Sequence, residues 1–455
     1  MKNKTLFIKN AKAIISCDSN DQVYENMNIF IESGVIKDIS NKVYEAEKTI
    51  DATGMIIYPG LINTHHHLYQ IFTRNLPEVQ NMELFPWLLH LYEIWKNLDA
   101  DTIKFSSLVG MGELLKTGCT TCFDHHYVFP NNVVNNLIDV QFQAATELGI
   151  RMHCSRGSMS LSKKDGGLPP DAVIQSVEEI LNDSERLIKE YHDSEPYSMR
   201  QMVLAPCSPF SVTGELMKKS AELARKYNVR LHTHLCETID EENFTIEKFG
   251  MRPLEYMKSL GWIGDDVWFA HGIHFNDEEL ELLAKTKTGV AHCPVSNMKL
   301  SSGIARISEM QKMKIPVGLA VDGSASNDGS NILEEIRVAY LLQRLKYSNE
   351  SIGGYEILKL ATNGGAEILG RQHDLGSLEV GKAADLFMID SNRIELVGAQ
   401  YDYKAILGTV GVKGSVDYTI VNGNVVVENG KLVSIDEKKV ALKANILVEK
   451  LNCSN

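Results

Sequence analysis

The middle of the chain alternates short apolar segments with longer amphipathic ones, and this alternation limits the fold more than any other feature. Short apolar runs predict strands, whereas apolar residues three and four positions apart predict helices. The predicted strands are 55–58, 120–124, 151–155, 201–205, 230–233, 267–270, 290–291 and 316–321. The predicted helices are 101–117, 132–148, 171–192, 213–227, 241–260, 276–286, 304–313, 331–346 and 354–370. Eight strand–helix units in succession predict a (β/α)8 barrel over residues 59–370.

Both ends of the chain have a different pattern, with short strands and polar turns. Residues 1–58 contain several such strands, and residues 371–436 repeat the style, with a hairpin at 418–427 whose turn is NGN at 422–424. Neither segment is large enough to bury a core alone. We therefore expect the two to form one small β-sandwich beside the barrel, followed by a C-terminal helix and tail at 437–455.

Composition narrows the classes of partner. With a net charge of −13, the chain is not expected to bind nucleic acid, whose backbone attracts basic surfaces. We expect no membrane association, because no apolar run is long enough to span a bilayer. The first residues lack the apolar core of a signal peptide, so a cytoplasmic protein with reduced thiols is expected. Cys119 and Cys122 have the spacing of a redox or zinc motif, but they lie in a predicted strand and are interpreted as buried core.

Polar residues capable of chemistry follow the predicted strands at one end. The active sites of (β/α)8 barrels lie at the C-terminal ends of the strands. Histidines follow strands one, five, six and seven, a glutamate follows strand five, and an aspartate follows strand eight: His65, His67, His234, Glu237, His271, His274, His292 and Asp322. On an extended backbone, residues two positions apart face the same side, so His65 and His67 can bind one ion together.

Three imidazoles and one carboxylate form a donor set suited to zinc or another borderline divalent ion. The set is His65, His67, His234 and Asp322. Zinc is favoured, with iron and manganese as alternatives. Water bound to such an ion becomes a nucleophile near pH 7. Asp322 can take the proton of that water, Glu237 can protonate substrate and leaving amine, and His271 can donate a hydrogen bond to the attacking oxygen. These residues predict metal-assisted hydrolysis at an electrophilic carbon.

With these motifs the chain resembles the amidohydrolase superfamily, and within it the purine and pyrimidine deaminases. The motifs are HHH at 65–67, HTHLCE at 232–237, AHGIH at 270–274, HCPVSN at 292–297 and VDGSASND at 321–328. The resemblance implies metal ligands at His65, His67, His234 and Asp322, and proton-handling residues at Glu237, His271 and Asp322. Members with two metals carry a bridging lysine after strand four. The corresponding segment here, APCSPF at 205–210, has no lysine, which implies one metal.

The loops narrow the resemblance to one subgroup. The stretches most similar to 8-oxoguanine deaminases, which are close to the hydroxy-triazine aminohydrolases, are HHHLYQIFTRNLP, VQNMELFPWLLHLYEIW, CSRGSMSLSKKDGGLPPD and LAPCSPFSV. The implied reaction converts the purine 8-oxoguanine and water to urate and ammonia. Guanine, isocytosine or a pterin is an alternative substrate, and an s-triazine amino- or chlorohydrolase is a further alternative. A metal-binding protein without catalysis would need neither Glu237 nor His271.

Three residues are candidate substrate contacts. Gln70 has the spacing from His67 at which guanine deaminases place a glutamine, and its amide can both donate and accept a hydrogen bond. A loop-capping role is the alternative. Arg156 and Cys207 end strands three and four. Arg156 could equally form a structural ion pair, and Cys207 could be a small buried hydrophobe.

Further predictions concern the surroundings of the site. Trp87 and Trp95 lie on an apolar helix face, which predicts core or a subunit interface before a pocket wall, and thus a homo-oligomer. Loop 157–170, rich in Ser, Gly and Pro, is either a cover over the pocket or an ordinary surface loop. The histidines interpreted as structural are His66, His125, His126 and His232, and those interpreted as supporting residues are His274 and His292.

Overall fold

The computed structural model describes residues 4–133 and 136–452 and contains two separate sheets. The strands, in chain order, are β1 (Thr5–Ile15), β2 (Val23–Glu32), β3 (Val35–Ser40), β4 (Lys48–Asp51), β5 (Met55–Pro59), β6 (Leu61–Asn63), β7 (Cys119–Asp124), β8 (Arg151–Ser158), β9 (Arg200–Pro206), β10 (Arg230–Leu235), β11 (Val267–His271), β12 (Gly289–His292), β13 (Val317–Leu319), β14 (Leu386–Asp390), β15 (Tyr418–Val421), β16 (Asn424–Glu428) and β17 (Lys431–Leu432).

Strands β6 to β13 form an eight-stranded sheet in chain order, and all their pairings are parallel. The first and last strands approach each other where the Thr64 N–H donates to the carbonyl of Leu319 at 3.2 Å. Helices separate successive strands, as the alternating pattern predicts. The (β/α)8 barrel expected from the sequence is therefore confirmed.

The α-helices alternate with the barrel strands and continue to the C-terminus. They are α1 (Leu84–Trp95), α2 (Ala100–Lys116), α3 (Leu137–Leu148), α4 (Val177–Tyr191), α5 (Gly214–Tyr227), α6 (Ile239–Phe249), α7 (Pro253–Ser259), α8 (Asp277–Thr286), α9 (Pro294–Lys299), α10 (Ile307–Lys312), α11 (Ser324–Asn327), α12 (Ile332–Tyr347), α13 (Gly354–Lys359), α14 (Gly365–Ile368), α15 (Ile406–Thr409) and α16 (Glu437–Asn452). A π-helical turn, Leu360–Gly364, joins α13 to α14.

Two helices replace the single helix predicted over 241–260. The chain leaves helical geometry at Arg252, which has extended backbone angles of φ −65° and ψ 157°, and Pro253 then begins α7. A proline disfavours helical geometry in the residue before it and fits well in the first turn of a new helix. The prediction of one continuous helix was therefore wrong at Pro253.

The first barrel strand also differs from the prediction. The apolar segment 55–58 is a strand, but β5 hydrogen-bonds with β1 and β14 in the other sheet. The barrel begins after Gly60, at β6. A Cβ atom on residue 60 would lie 2.2 Å from Oγ1 of Thr120, so only glycine allows this close approach. Residues 59 and 60 thus carry the chain from one sheet into the next.

The second sheet combines both ends of the chain. Its main path runs β17-β16-β15-β14-β5-β1-β2-β3, and β4 pairs with β1. The predicted composite β unit is confirmed as one nine-stranded mixed sheet. Asn422 and Gly423 both have positive φ, 47° and 73°, as a two-residue hairpin turn of type I′ requires. The domain boundaries and the homo-oligomer remain predictions.

The cysteine pair of β7 is part of the core, as interpreted from the sequence. Cys119 and Cys122 are buried in β7, and burial raises the pKa of the Cys119 thiol to about 12. All seven cysteines within the described residues are free. Across residues 4–133 and 136–452, the longest apolar helical stretches fall short of what a membrane crossing needs.

Candidate metal centre and active site

Four donor atoms from the ends of three barrel strands, β6, β10 and β13, converge at the C-terminal end of the barrel. Nε2 of His67 lies 3.1 Å from Nε2 of His234. Oδ1 of Asp322 lies 3.2 Å from Nε2 of His67 and 3.3 Å from Nε2 of His65. All four side chains are buried. The structure thus brings together the four residues predicted as metal ligands.

Hydrogen bonds fix which nitrogen of each imidazole carries the proton. Nδ1 of His67 lies 2.7 Å from the carbonyl oxygen of His125, and Nδ1 of His234 lies 2.6 Å from that of Cys207. A carbonyl only accepts, so both Nδ1 atoms are protonated donors. Nε2 of each neutral ring is then an unprotonated lone pair directed into the centre.

In His65, too, Nδ1 carries the proton and Nε2 is unprotonated, because a second histidine accepts the Nδ1 proton in a hydrogen bond. Nδ1 of His232 lies 3.0 Å from the carbonyl oxygen of Trp268 and must donate to it. Its Nε2 is therefore an acceptor, and it receives the Nδ1 proton of His65 at 2.8 Å. This leaves Nε2 of His65 free for a metal ion. His232, predicted as structural, thus orients a predicted ligand.

The donor set fits a divalent cation. Two unprotonated nitrogens 3.1 Å apart and an adjoining carboxylate repel one another unless a cation lies between them. Burial lowers the pKa of His65 to about 3, which keeps its ring neutral. Burial alone would raise the pKa of Asp322, but the adjoining His65 and His67 hold it well below its usual value. Neutral imidazoles with one carboxylate match a zinc-type site.

Two more predicted residues face each other beside this centre. Oε2 of Glu237 lies 3.4 Å from Nε2 of His271. Burial, and the nearby Asp322, raise the pKa of Glu237 well above its usual range. Nδ1 of His271 donates to Oδ1 of Asn297 at 3.0 Å, which leaves Nε2 of His271 directed toward Glu237.

Backbone geometry at the strand ends aims these side chains. His271 and Asp322 have positive φ values of 73° and 64°, and Cys236, directly before Glu237, has φ 54°. Such conformations are costly for residues other than glycine and concentrate at functional sites. The peptide N–H groups of Cys236 and Glu237 donate to the buried carboxylate of Glu241, at 3.1 and 3.0 Å, which holds this turn.

A cavity opens above the centre. Its polar wall includes Gln70, Cys207, Glu237 and Asp322, and its apolar wall consists of Leu84, Trp87, Leu88, Phe210 and Leu300. Trp87 is both a buried residue of the hydrophobic core, as predicted first, and part of the pocket wall. Trp95 is a core residue whose indole N–H donates to Oγ1 of Thr73.

The three candidate substrate contacts do not all lie at the same place in the structure. Gln70 and Cys207 line the cavity. Arg156 is fully buried elsewhere, where its guanidinium donates to Asp183 at 2.6 Å and to Gln175 at 2.8 Å and lies 3.7 Å from the ring centre of Phe129. These contacts match the structural ion pair given as the alternative for Arg156.

Loop 157–170 is packed against the protein. The N–H groups of Ser160 and Leu161 donate to the carbonyl of Ser211, and Met159 is buried. No residue of this loop lines the cavity, whose wall includes Gln70 and Trp87 from the segment after the first barrel strand.

The sequence interpretation missed several residues of the site. Oγ of Ser296 donates to Oδ2 of Asp322 at 2.6 Å, Asn297 orients His271, and Tyr127 lines the cavity. His125, interpreted as structural, lies among the ligand imidazoles. The HCPVSN motif contains Ser296 and Asn297, and its position after a strand was a signal for both. Of the predicted supporting residues, His274 donates to the carbonyl of Ser302 and His292 is buried.

Comparisons with known proteins agree with this geometry. Residues 56–426 match the model of the Amidohydrolase family. The chain is 45% identical over 405 residues to 8-oxoguanine deaminase of Pseudomonas aeruginosa, covering 88% of this chain and 89% of that protein. It is 43% identical over 403 residues to hydroxydechloroatrazine ethylaminohydrolase of a Pseudomonas species, covering 88% and 83%. The crystal structure of atrazine chlorohydrolase from Arthrobacter aurescens complexed with zinc superimposes with a TM-score of 0.93 at 33% identity, covering 97% of this chain and 100% of that one.

Proposed function

The chain belongs to the amidohydrolase family and is an aminohydrolase acting on heterocyclic compounds, and we propose that it deaminates 8-oxoguanine to urate and ammonia. The observation that supports 8-oxoguanine as the substrate is that Gln70 lines the same cavity as Glu237, in a chain similar to a known 8-oxoguanine deaminase. Oε1 of Gln70 is buried and has no hydrogen-bond partner among the described residues. An unpaired buried amide favours a ligand that supplies the missing partner.

We propose that the centre holds one divalent ion, and zinc is favoured. His65, His67, His234 and Asp322 would hold it. A bound divalent ion would lower the pKa of a water molecule toward 7 and so supply a nucleophile at neutral pH. Cys207 is at the end of the fourth barrel strand, where a second metal would need a bridging lysine according to the resemblance described above.

The protein residues move the protons of the proposed reaction. The oxygen of water replaces the exocyclic amine on the amidine-like ring carbon, and the nitrogen leaves as ammonia. Asp322 accepts a proton from the attacking water. Glu237, whose pKa burial raises well above its usual range, gives its proton to the adjacent ring nitrogen. It then takes the proton of the newly formed hydroxyl and passes it to the leaving amine as the carbon–nitrogen bond breaks, and the proton held by Asp322 restores Glu237. His271, positioned by Asn297, hydrogen-bonds the oxygen on which charge develops.

The cavity walls suit a flat purine ring. Leu84, Trp87 and Leu88 provide an apolar surface, and Gln70 provides a donor and an acceptor for a lactam edge. Guanine, isocytosine and pterins share the amidine-like carbon and remain alternatives. A triazine hydrolase is the second candidate, because of the 43% identity with the hydroxydechloroatrazine enzyme.

The test is turnover of a substrate panel by zinc-loaded protein. The panel contains 8-oxoguanine, guanine, isocytosine, isoxanthopterin and hydroxyatrazine, and ammonia release and ultraviolet change are measured. Protein treated with a chelator, before and after zinc is restored, is the control. We expect zinc-dependent turnover with the highest kcat/KM for 8-oxoguanine. A higher kcat/KM for another ring would overturn 8-oxoguanine as the proposed substrate. Absence of turnover with tightly bound zinc would favour the non-catalytic alternative.

A further inference from the structure

His125 follows β7 and lies among the proposed ligands. Its ring centre is 4.8 Å from that of His234, 5.4 Å from that of His67 and 5.6 Å from that of His65. One of its ring nitrogens lies within 4.8 Å of the donor nitrogens of these three residues. The second barrel strand therefore brings a fourth imidazole to the centre.

Hydrogen bonding leaves one nitrogen of His125 available. Nε2 lies 2.7 Å from the carbonyl oxygen of Ala205 and donates to it. Nδ1 of the neutral ring is then an unprotonated acceptor. It is buried, and it finds no hydrogen-bond partner within the part of the chain that the structure describes. An acceptor buried without a partner is unfavourable, and a ligand at this atom would offset that cost.

We propose that His125 is a fourth imidazole ligand of the metal centre and supplies Nδ1. The inference rests on the proposed one-metal centre and not on the identity of the substrate. Four imidazoles and one carboxylate form a donor set richer in nitrogen than the family resemblance implies. Such a set favours zinc over harder ions such as manganese or magnesium.

The next residue provides a matched control. His126 is also buried, but its ring packs against Phe129 and Tyr69, at 4.9 and 5.3 Å between ring centres. It is outside the cluster of ligand atoms found among the described residues. Replacement of His126 therefore changes a buried histidine next in the chain without changing the donor set.

The experiment compares metal binding by the full chain and three variants: His125→Gln, His125→Leu and His126→Gln. Zinc affinity is measured by competition with a chelator, and the visible absorption of bound Co²⁺ reports the ligand geometry. Glutamine can still donate to the carbonyl of Ala205. We expect both His125 variants to bind zinc about 10–100-fold more weakly and to change the Co²⁺ bands, whereas His126→Gln retains both.

X-ray absorption of the zinc-loaded unmodified chain tests the inference without any substitution. Scattering from four imidazoles supports it, and scattering from three overturns it. Unchanged zinc affinity and Co²⁺ bands in both His125 variants would also overturn it, while leaving the proposed function intact. If the unmodified chain binds no zinc, the proposed metal centre itself fails, and the inference fails with it.

Discussion

Oε1 of Gln70 lies directly against the backbone of Gly323, where a Cβ atom on residue 323 would be only 1.9 Å away. Gly323 has φ −71°, a value that any residue adopts. Its lack of a side chain is therefore required by space and not by backbone conformation. Gly323 follows the predicted ligand Asp322, so the position of the Gln70 amide, a predicted substrate contact, depends on the residue next to the predicted metal centre.

The substitution Gly323→Ala should displace Gln70 and impair substrate binding. We expect kcat/KM to fall about 10–100-fold, as for a misplaced contact group, with zinc content unchanged. Gln70→Ala should cause a similar loss. The control is Gly329→Ala in the same loop, where the nearest atom would be 3.3 Å from the new Cβ. Steady-state kinetics and metal analysis check the prediction, and equal kcat/KM for Gly323→Ala and the unmodified chain would contradict it.

The substitution Glu237→Gln should abolish most turnover and leave metal binding intact. Glutamine has a similar shape but cannot carry the transferred proton, so we expect a loss of about 10²–10⁴-fold in kcat. Ammonia release and zinc content are the measurements. Glu247→Gln, at an exposed position of α6, is the control. Ammonia release at the original rate would exclude the proton-transfer role of Glu237.

Glu241 should make the protein less stable as the pH rises from about 4.5 to about 8. Burial raises the pKa of its carboxyl from 4.5 to about 8. In this window the folded state retains a proton that the unfolded state has released, so the free energy of unfolding decreases with pH. Glutamine does not titrate. We therefore expect Glu241→Gln to lose less stability across this range, by on the order of a few kcal/mol.

Urea unfolding of both proteins at several pH values measures this difference. Comparing the slope with pH, and not the absolute stability, removes the cost of altering the two backbone hydrogen bonds that Glu241 accepts. Parallel curves for the two proteins would show that Glu241 titrates at a normal pKa.

The ion pair between Arg151 and Asp385 should be important for stability because it joins the barrel to the second sheet. The guanidinium is fully buried and lies 3.0 Å from the carboxylate, which also accepts from the N–H of Asn422. Asp385→Asn leaves a buried charge without its partner and should cost about 3–5 kcal/mol. Denaturant unfolding measures this loss in the free energy of unfolding. The exposed pair of Lys219 and Glu215 is the control, and Glu215→Gln should cost less than about 1 kcal/mol.

The periodic part of the fold could be predicted from the sequence, but the partners of a strand could not. The apolar run at 55–58 correctly indicates a strand. Its assignment to the barrel was wrong, because an apolar run records burial and does not say which sheet supplies the hydrogen bonds. Pro253 is a helix-breaking signal in the sequence. The prediction overlooked it because the residues on both sides have helical periodicity.

The candidate site also has residues that could be predicted from the sequence and residues that could not. Ligand candidates could be found because they follow strands that must end at the same face of the barrel. Roles that depend on hydrogen-bond partners could not be found. The tautomer of His65 is set by His232 and the carbonyl of Trp268, which are distant in sequence. Arg156 ends a strand like the ligands do, but Asp183 on α4 holds its guanidinium.

The pairing of β5 with β14 has a consequence for synthesis on the ribosome. Strand β5 ends at Pro59, and β14 begins at Leu386. With roughly 330 residues between them, and elongation at about 5–20 residues per second, the edge of β5 waits roughly 15–65 s for its partner. An unpaired strand edge invites pairing with other chains. The newly made chain is therefore most exposed to aggregation while its barrel is still emerging.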